Sequence, residues 1–225
     1  MMSSKEDSVQ LNMQLNEQAC ILLNEDAWIT SPADGVMRIP LEREKPELGR
    51  TTSFVKFAPG SSFPAHHHPQ GEEIYVLEGV FSDENGDYPA GTYIRNPPGS
   101  RHTPYTRDGC TLFVKLDQFH PDDKKQVVIR EEERQWRPGI GNLKVLSLHT
   151  HLTESTALVL WPPNEVFQPH QHWGGEEILV LSGKFCDEHG SYPTGTWIRS
   201  PHMSKHTPYV EQDETLILVK VGHLE

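Results

Sequence analysis

Residues His66–Tyr105 read HHHPQGEEIYVLEGVFSDENGDYPAGTYIRNPPGSRHTPY, and residues His170–Tyr209 read HQHWGGEEILVLSGKFCDEHGSYPTGTWIRSPHMSKHTPY. The two stretches align without a gap over forty positions, at a constant offset of 104 residues. Chance does not produce identity on this scale, so the chain contains a duplicated unit of about a hundred residues. The repeat extends outward on both sides. Trp28 with Gly35-Val36 precedes the first copy, as Trp136 with Gly139-Ile140 precedes the second. Thr111–Val114 and Thr215–Leu218 follow them. A charged stretch without strand alternation, His120–Gln135, reads as the linker. The expected division is a flexible segment over residues 1–20, a first domain over 21–120 and a second over 121–225.

Each copy reads as all-β. Short runs rich in β-branched and aromatic residues, such as 52–57, 73–77, 92–95 and 111–116, are punctuated by Pro59-Gly60, Asn85-Gly86-Asp87 and Pro97-Pro98-Gly99. Strands this short, at this spacing, predict a sandwich or barrel. No long amphipathic helix is visible inside either unit.

Within the repeat, four side chains recur at fixed spacing. His66 and His68 lie two apart, so on a strand both imidazoles project to one face while His67 projects to the other. The second copy has Gln171 between His170 and His172. Glu72 and Glu176 follow by four residues, and His102 and His206 follow thirty residues later. Three neutral imidazoles and one carboxylate make a ligand set for a divalent transition metal. They suit zinc, iron, manganese, nickel or copper better than calcium or magnesium. Such a set closes a tetrahedral zinc site, or leaves two positions open on an octahedral ion. His149 and His151 share the H-x-H spacing but have no counterpart in the first copy, so they are read as non-ligands.

These residues resemble the two motifs of the cupin superfamily. Gly60, His66, His68, Glu72 and Gly79 fit the first, and Gly91, Pro97, Gly99 and His102 fit the second. In the second copy Asn164 replaces the opening glycine and Met203 replaces the glycine before the last histidine. The family spacing to the glycine selects Glu72 and Glu176 over their neighbours Glu73 and Glu177. The resemblance implies two tandem jelly-roll barrels with a metal inside each mouth. The finer pattern G-E-E-I-x-V-L-x-G-x-F-x-D-E-x-G-x-Y-P-x-G-T-x-I-R resembles the cupin half of ChrR-type anti-sigma factors, which implies sensing of oxidative signals. No H-x3-C-x2-C is present here, so sigma-factor binding itself is not implied. A homodimer is a further expectation from the resemblance.

Other recurring residues invite a role at the site. The hydroxyls of Thr103 and Thr207 follow the last histidine and are placed either to orient it or to cap a turn. Arg95 and Arg199 end a strand and are expected to pair with the acidic turns Asp83-Glu84 and Asp187-Glu188, or else to bind an anionic ligand. Tyr93 and Trp197 are expected in the core.

The net charge of −12, with no basic run longer than Lys124-Lys125, argues against nucleic acid or an acidic membrane as the direct partner. Three scattered cysteines without C-x-x-C argue against a disulfide framework. With no apolar leader of signal-peptide length, they point to the cytoplasm. Two functions follow. One is a zinc-holding protein that binds or senses a small molecule or oxidant and acts with a regulatory protein. The other is a mononuclear metal-dependent dioxygenase acting on a small organic substrate.

Overall fold

A computed structural model of the chain describes residues 10–46 and 48–224. It is built of antiparallel strands with two one-turn 3₁₀ segments, Glu25–Ala27 and Glu131–Glu133, and no α-helix among the described residues. No helix there is long and apolar enough to cross a membrane. The chain divides into two compact units, and each is a jelly roll.

In the first unit one sheet runs in the order Val127–Ile129, Tyr93–Asn96, Glu72–Asp83, Cys110–Leu116, Leu48–Phe57, Val36–Lys45, Ile29–Thr30. Facing it are shorter pairs, His66–His68 with Ser100–His102 and the far half of Glu72–Asp83 with Gly86–Pro89. Strand Glu72–Asp83 belongs to both layers because it bends in the middle. The register slips between Thr111 and Leu112 opposite this point, a β-bulge. Gly79 there has φ +71°, and a Cβ on it would lie 2.1 Å from the Gly109 carbonyl oxygen. Only glycine fits, and Gly183, at φ +76° and 2.5 Å from the Glu214 carbonyl oxygen, repeats the device.

The bulge also switches which side chains face inward. Before it, Ile74 and Val76 enter the core; after it, Phe81 does. These pack with Phe57, Tyr88 and Leu112, and Phe81 contacts Phe57 and Tyr88 ring to ring at 6.1 Å each. Burying a side chain of this size stabilises the fold by roughly 1.5–3 kcal/mol. In the second unit Trp161, Ile178, Val180, Phe185 and Tyr192 fill the same space.

The unit boundaries differ from those read in the sequence. Residues 14–23 belong to the second unit and residues 24–133 to the first. Ala19–Leu22 is the edge strand beside Thr196–Ser200, and Val127–Ile129 is the edge strand beside Tyr93–Asn96. The supposed linker and part of the supposed flexible segment therefore carry ladder hydrogen bonds. Leu11 likewise pairs with Arg43 in the first unit. The rest of the segment expected to be flexible, residues 1–9, lies outside the described residues.

Candidate metal centres

Strand His66–His68 pairs with Ser100–His102 so that His66 lies opposite His102. Alternation aims His66 and His68 to one side, while His67 points out to solvent. Glu72 opens the neighbouring long strand with its side chain inward. The result brings His66, His68, Glu72 and His102 together, with one donor atom of each within 4.8 Å of all the others. The three ring centroids stand 4.8–5.0 Å apart. Glu72 Oε2 is 3.5 Å from Nε2 of both His68 and His102.

The second unit repeats the layout. His170, His172 and His206 share a 4.8 Å circle, and Glu176 Oε2 lies 3.5 Å from Nε2 of His172 and His206 without joining that circle. Glu73 and Glu177 face away, as the spacing argument requires. Glu73 accepts hydrogen bonds from Tyr93 Oη and Arg95, and Glu177 from Trp197 Nε1 at 2.7 Å.

The side chains that hold the histidines were missed in the sequence. His102 Nδ1 donates to Asp83 Oδ2 at 3.3 Å, and His206 Nδ1 to Asp187 Oδ2 at 3.3 Å. Each aspartate also takes a tyrosine hydroxyl, Tyr88 or Tyr192, at 3.1 Å. His66 and His170 donate Nδ1–H to the carbonyls of Pro64 and Gln168. Fixing Nδ1 as the donor leaves the Nε2 lone pair aimed at the centre. A recurring Asp–Glu turn was the available signal.

The acidic-turn pairing expected of Arg95 and Arg199 does not hold, and the orienting role open to Thr103 and Thr207 is taken by aspartates. Thr103 and Thr207 offer backbone N–H groups to Glu84 and Glu188, and the work of orienting the last histidine falls to Asp83 and Asp187. Arg95 is buried against Glu73 and Asp123 with its guanidinium 3.8 Å from the Phe119 ring centre, and Arg199 donates to the Gln14 carbonyl. The reason is the face each side chain takes. Arg95 sits opposite Glu73 on the outer face, whereas Asp83 faces inward. Tyr93 and Trp197 are buried as expected. His149 and His151 join neither cluster.

Burial lowers the pKa of His68 and of His170, and burial with the nearby His206 and His170 brings His172 down to about 3. These rings are neutral near pH 7, the form that binds metal. Burial opposes charge on His102 and His206, but the Asp83 and Asp187 bonds and the glutamates outweigh it and raise both. Burial pushes Glu176 up to about 7.

The donor set fits a transition ion. Nε2 of His68 and His102 are buried without a hydrogen-bond partner, an arrangement that costs stability unless something binds there. Nε2 of His172 and His206 are 2.9 Å apart. Two donors about 2.1 Å from one ion stand roughly 2.9–3.4 Å apart for angles of about 90–109°.

Comparison with known proteins agrees with this picture. The ChrR cupin-like domain family matches twice, over residues 16–120 and 124–225, and the chain belongs to that family as a tandem pair. A 73-residue stretch is 32% identical to the DNA damage-repair/toleration protein DRT102 of Arabidopsis thaliana, covering 30% of this chain and 24% of that protein. The chain thus spans about a quarter of that relative. Among solved structures, a candidate dioxygenase from Nostoc punctiforme superposes with a TM-score of 0.77 at 15% identity, over 93% of this chain and 84% of that one. A variant of Bacillus subtilis oxalate decarboxylase gives 0.64 at 15% identity, over 92% and 78%. At these identities the likeness is one of fold.

Proposed function

We propose that this chain is a two-centre metalloprotein that binds or senses a small molecule or oxidant. In this reading His66, His68, Glu72 and His102 hold one divalent ion, zinc favoured, and His170, His172, Glu176 and His206 hold a second. A bound ion of this kind would supply a Lewis acid. The observation that carries the reading is that, among the described residues, the carboxylates that contact the first centre's last histidine and its turn are engaged in holding it. Glu72 faces the imidazoles, Asp83 holds His102, and Glu84 holds the Thr103 amide. That arrangement commits these three carboxylates to orienting ligands rather than to shuttling protons, which favours holding a metal over acid–base turnover. The family match supports a sensing role, with a regulatory protein as the receiving partner.

A second reading, a metal-dependent dioxygenase, is supported by the likeness to the Nostoc punctiforme protein. The two are separated by exposing the purified protein to peroxide while following metal release with a chromophoric chelator and dissolved oxygen with an electrode. Metal release without oxygen uptake supports sensing. Oxygen uptake that stops on chelation, in the presence of a small organic substrate, supports the dioxygenase and ends the sensing reading.

A further inference from the structure

The two centres differ in the side chain that faces the ligand carboxylate. Asn96 is the cross-strand partner of Glu72, and Ser200 is the cross-strand partner of Glu176. The buried Asn96 amide donates to Glu72 Oε2 at 2.9 Å, the same oxygen that faces His68 and His102. Serine is too short to reach across, and no hydrogen bond joins Ser200 to Glu176 among the described residues. The geometry differs accordingly. All four donors of the first centre share one 4.8 Å circle, whereas only the three imidazoles of the second do. The second centre is also more open, since His172 and His206 are 9% and 7% exposed against 2% and 3% for His68 and His102. Its rim carries Trp173 and His202, with ring centroids 4.7 Å apart, where the first copy has Pro69 and Pro98.

We infer that Asn96 is a positioning residue that makes the first centre a closed, tight, four-ligand site, while Ser200 leaves Glu176 unbraced, so that the second centre is weaker and this carboxylate yields its place to a small anion from solution. This rests on the metal-binding reading above. When an unbraced carboxylate detaches, the dication is left with three neutral imidazoles, its full charge and an unfilled position, so an anion is the ligand it attracts. With an engaged carboxylate, the first centre has less charge and less room.

Zinc affinity is measured by chelator competition on the full chain, and the cobalt-loaded protein is titrated with azide and followed in the visible spectrum. The expected result is two classes of site differing by about 10–100-fold, the range for loss of an outer-shell partner. Azide should shift only the weaker class. Asn96→Ser should weaken the tight class and make it azide-responsive, and Ser200→Asn should tighten the weak class and silence its response. Two sites of equal affinity and equal azide response, or exchanges that move neither, would overturn the inference while leaving metal binding intact. Failure to take up any metal overturns both. If Asn96→Ser fails to fold, the wild-type azide titration and Ser200→Asn still decide the matter.

Discussion

Replacing Asp83 by Asn should weaken metal binding at the first centre without touching a ligand. Asp83 Oδ2 takes the His102 Nδ1–H at 3.3 Å, while Oδ1 takes the Asn85 N–H at 2.7 Å and the Tyr88 hydroxyl at 3.1 Å. Asparagine has only one acceptor oxygen. If that oxygen stays with Asn85 and Tyr88, the new NH₂ group faces His102 Nδ1 and forces its proton onto Nε2, the nitrogen aimed at the metal. If it turns to His102, two donors lose their partner. Either way the imidazole loses basicity or alignment. Outer-shell losses of this kind weaken binding by about 10–100-fold, or about 1.4–2.8 kcal/mol at 1.4 kcal/mol per tenfold. Chelator competition at pH 7 measures it, with a thermal melt of the metal-free protein as the control for folding. Asp187→Asn should do the same to the second centre, where Asp187 holds His206, Tyr192 and two backbone amides. An Asp83→Asn protein that binds within twofold of the wild type would refute the reasoning.

Adjacent glutamates should separate in effect. Glu72→Gln should lower metal affinity at the first centre, whereas Glu73→Gln should leave metal content unchanged and lower the melting temperature, because it removes one of the two carboxylates around the buried Arg95; with Asp123 still in place the cost falls short of the roughly 3–5 kcal/mol of an uncompensated buried charge. Met203 holds φ +65° where the first copy has Gly99 at φ +87°. A left-handed conformation costs a residue with a Cβ about 1–2 kcal/mol, partly offset by the greater unfolded-state freedom of glycine. Met203→Gly should therefore raise the melting temperature by a few degrees, by roughly 2–4 °C per kcal/mol at this size. Gly99→Ala should lower it similarly, since a Cβ there meets nothing within 4 Å. Of the three cysteines, Cys20 is exposed while Cys110 and Cys186 are buried, and burial pushes the Cys110 thiol up to about 11. At pH 8 an aromatic disulfide reagent should titrate one thiol per folded chain and three after unfolding; three fast thiols would contradict the packing.

Much of the candidate site was legible because it depends on local rules. The H-x-H spacing on a strand predicts which imidazoles share a face, and the repeat separates His66, His68 and His102 from His149 and His151. The family spacing to the glycine separates Glu72 from Glu73. Reading failed where alternation breaks. Along Glu72–Asp83 the inward side chains are Glu72, Ile74 and Val76 before the bulge and Phe81 after it, so the parity changes. Strict alternation from Glu72 would turn Asp83 outward, toward Arg95. The bulge instead turns it inward, toward His102, which is why the expected arginine pairing was wrong. The edge strands were missed for a different reason. Ala19–Leu22 and Val127–Ile129 are short and flanked by charged residues, and the partners that recruit them lie far away in the chain.

Metal content per chain tests the central claim most directly. Protein purified without added metal or chelator, then dialysed, is measured by elemental mass spectrometry alongside variants in which His66 and His68, or His170 and His172, are alanine. The account predicts close to two equivalents of a divalent transition ion per wild-type chain after reconstitution and close to one in each variant. A wild-type chain that folds but neither carries nor takes up such an ion would contradict it.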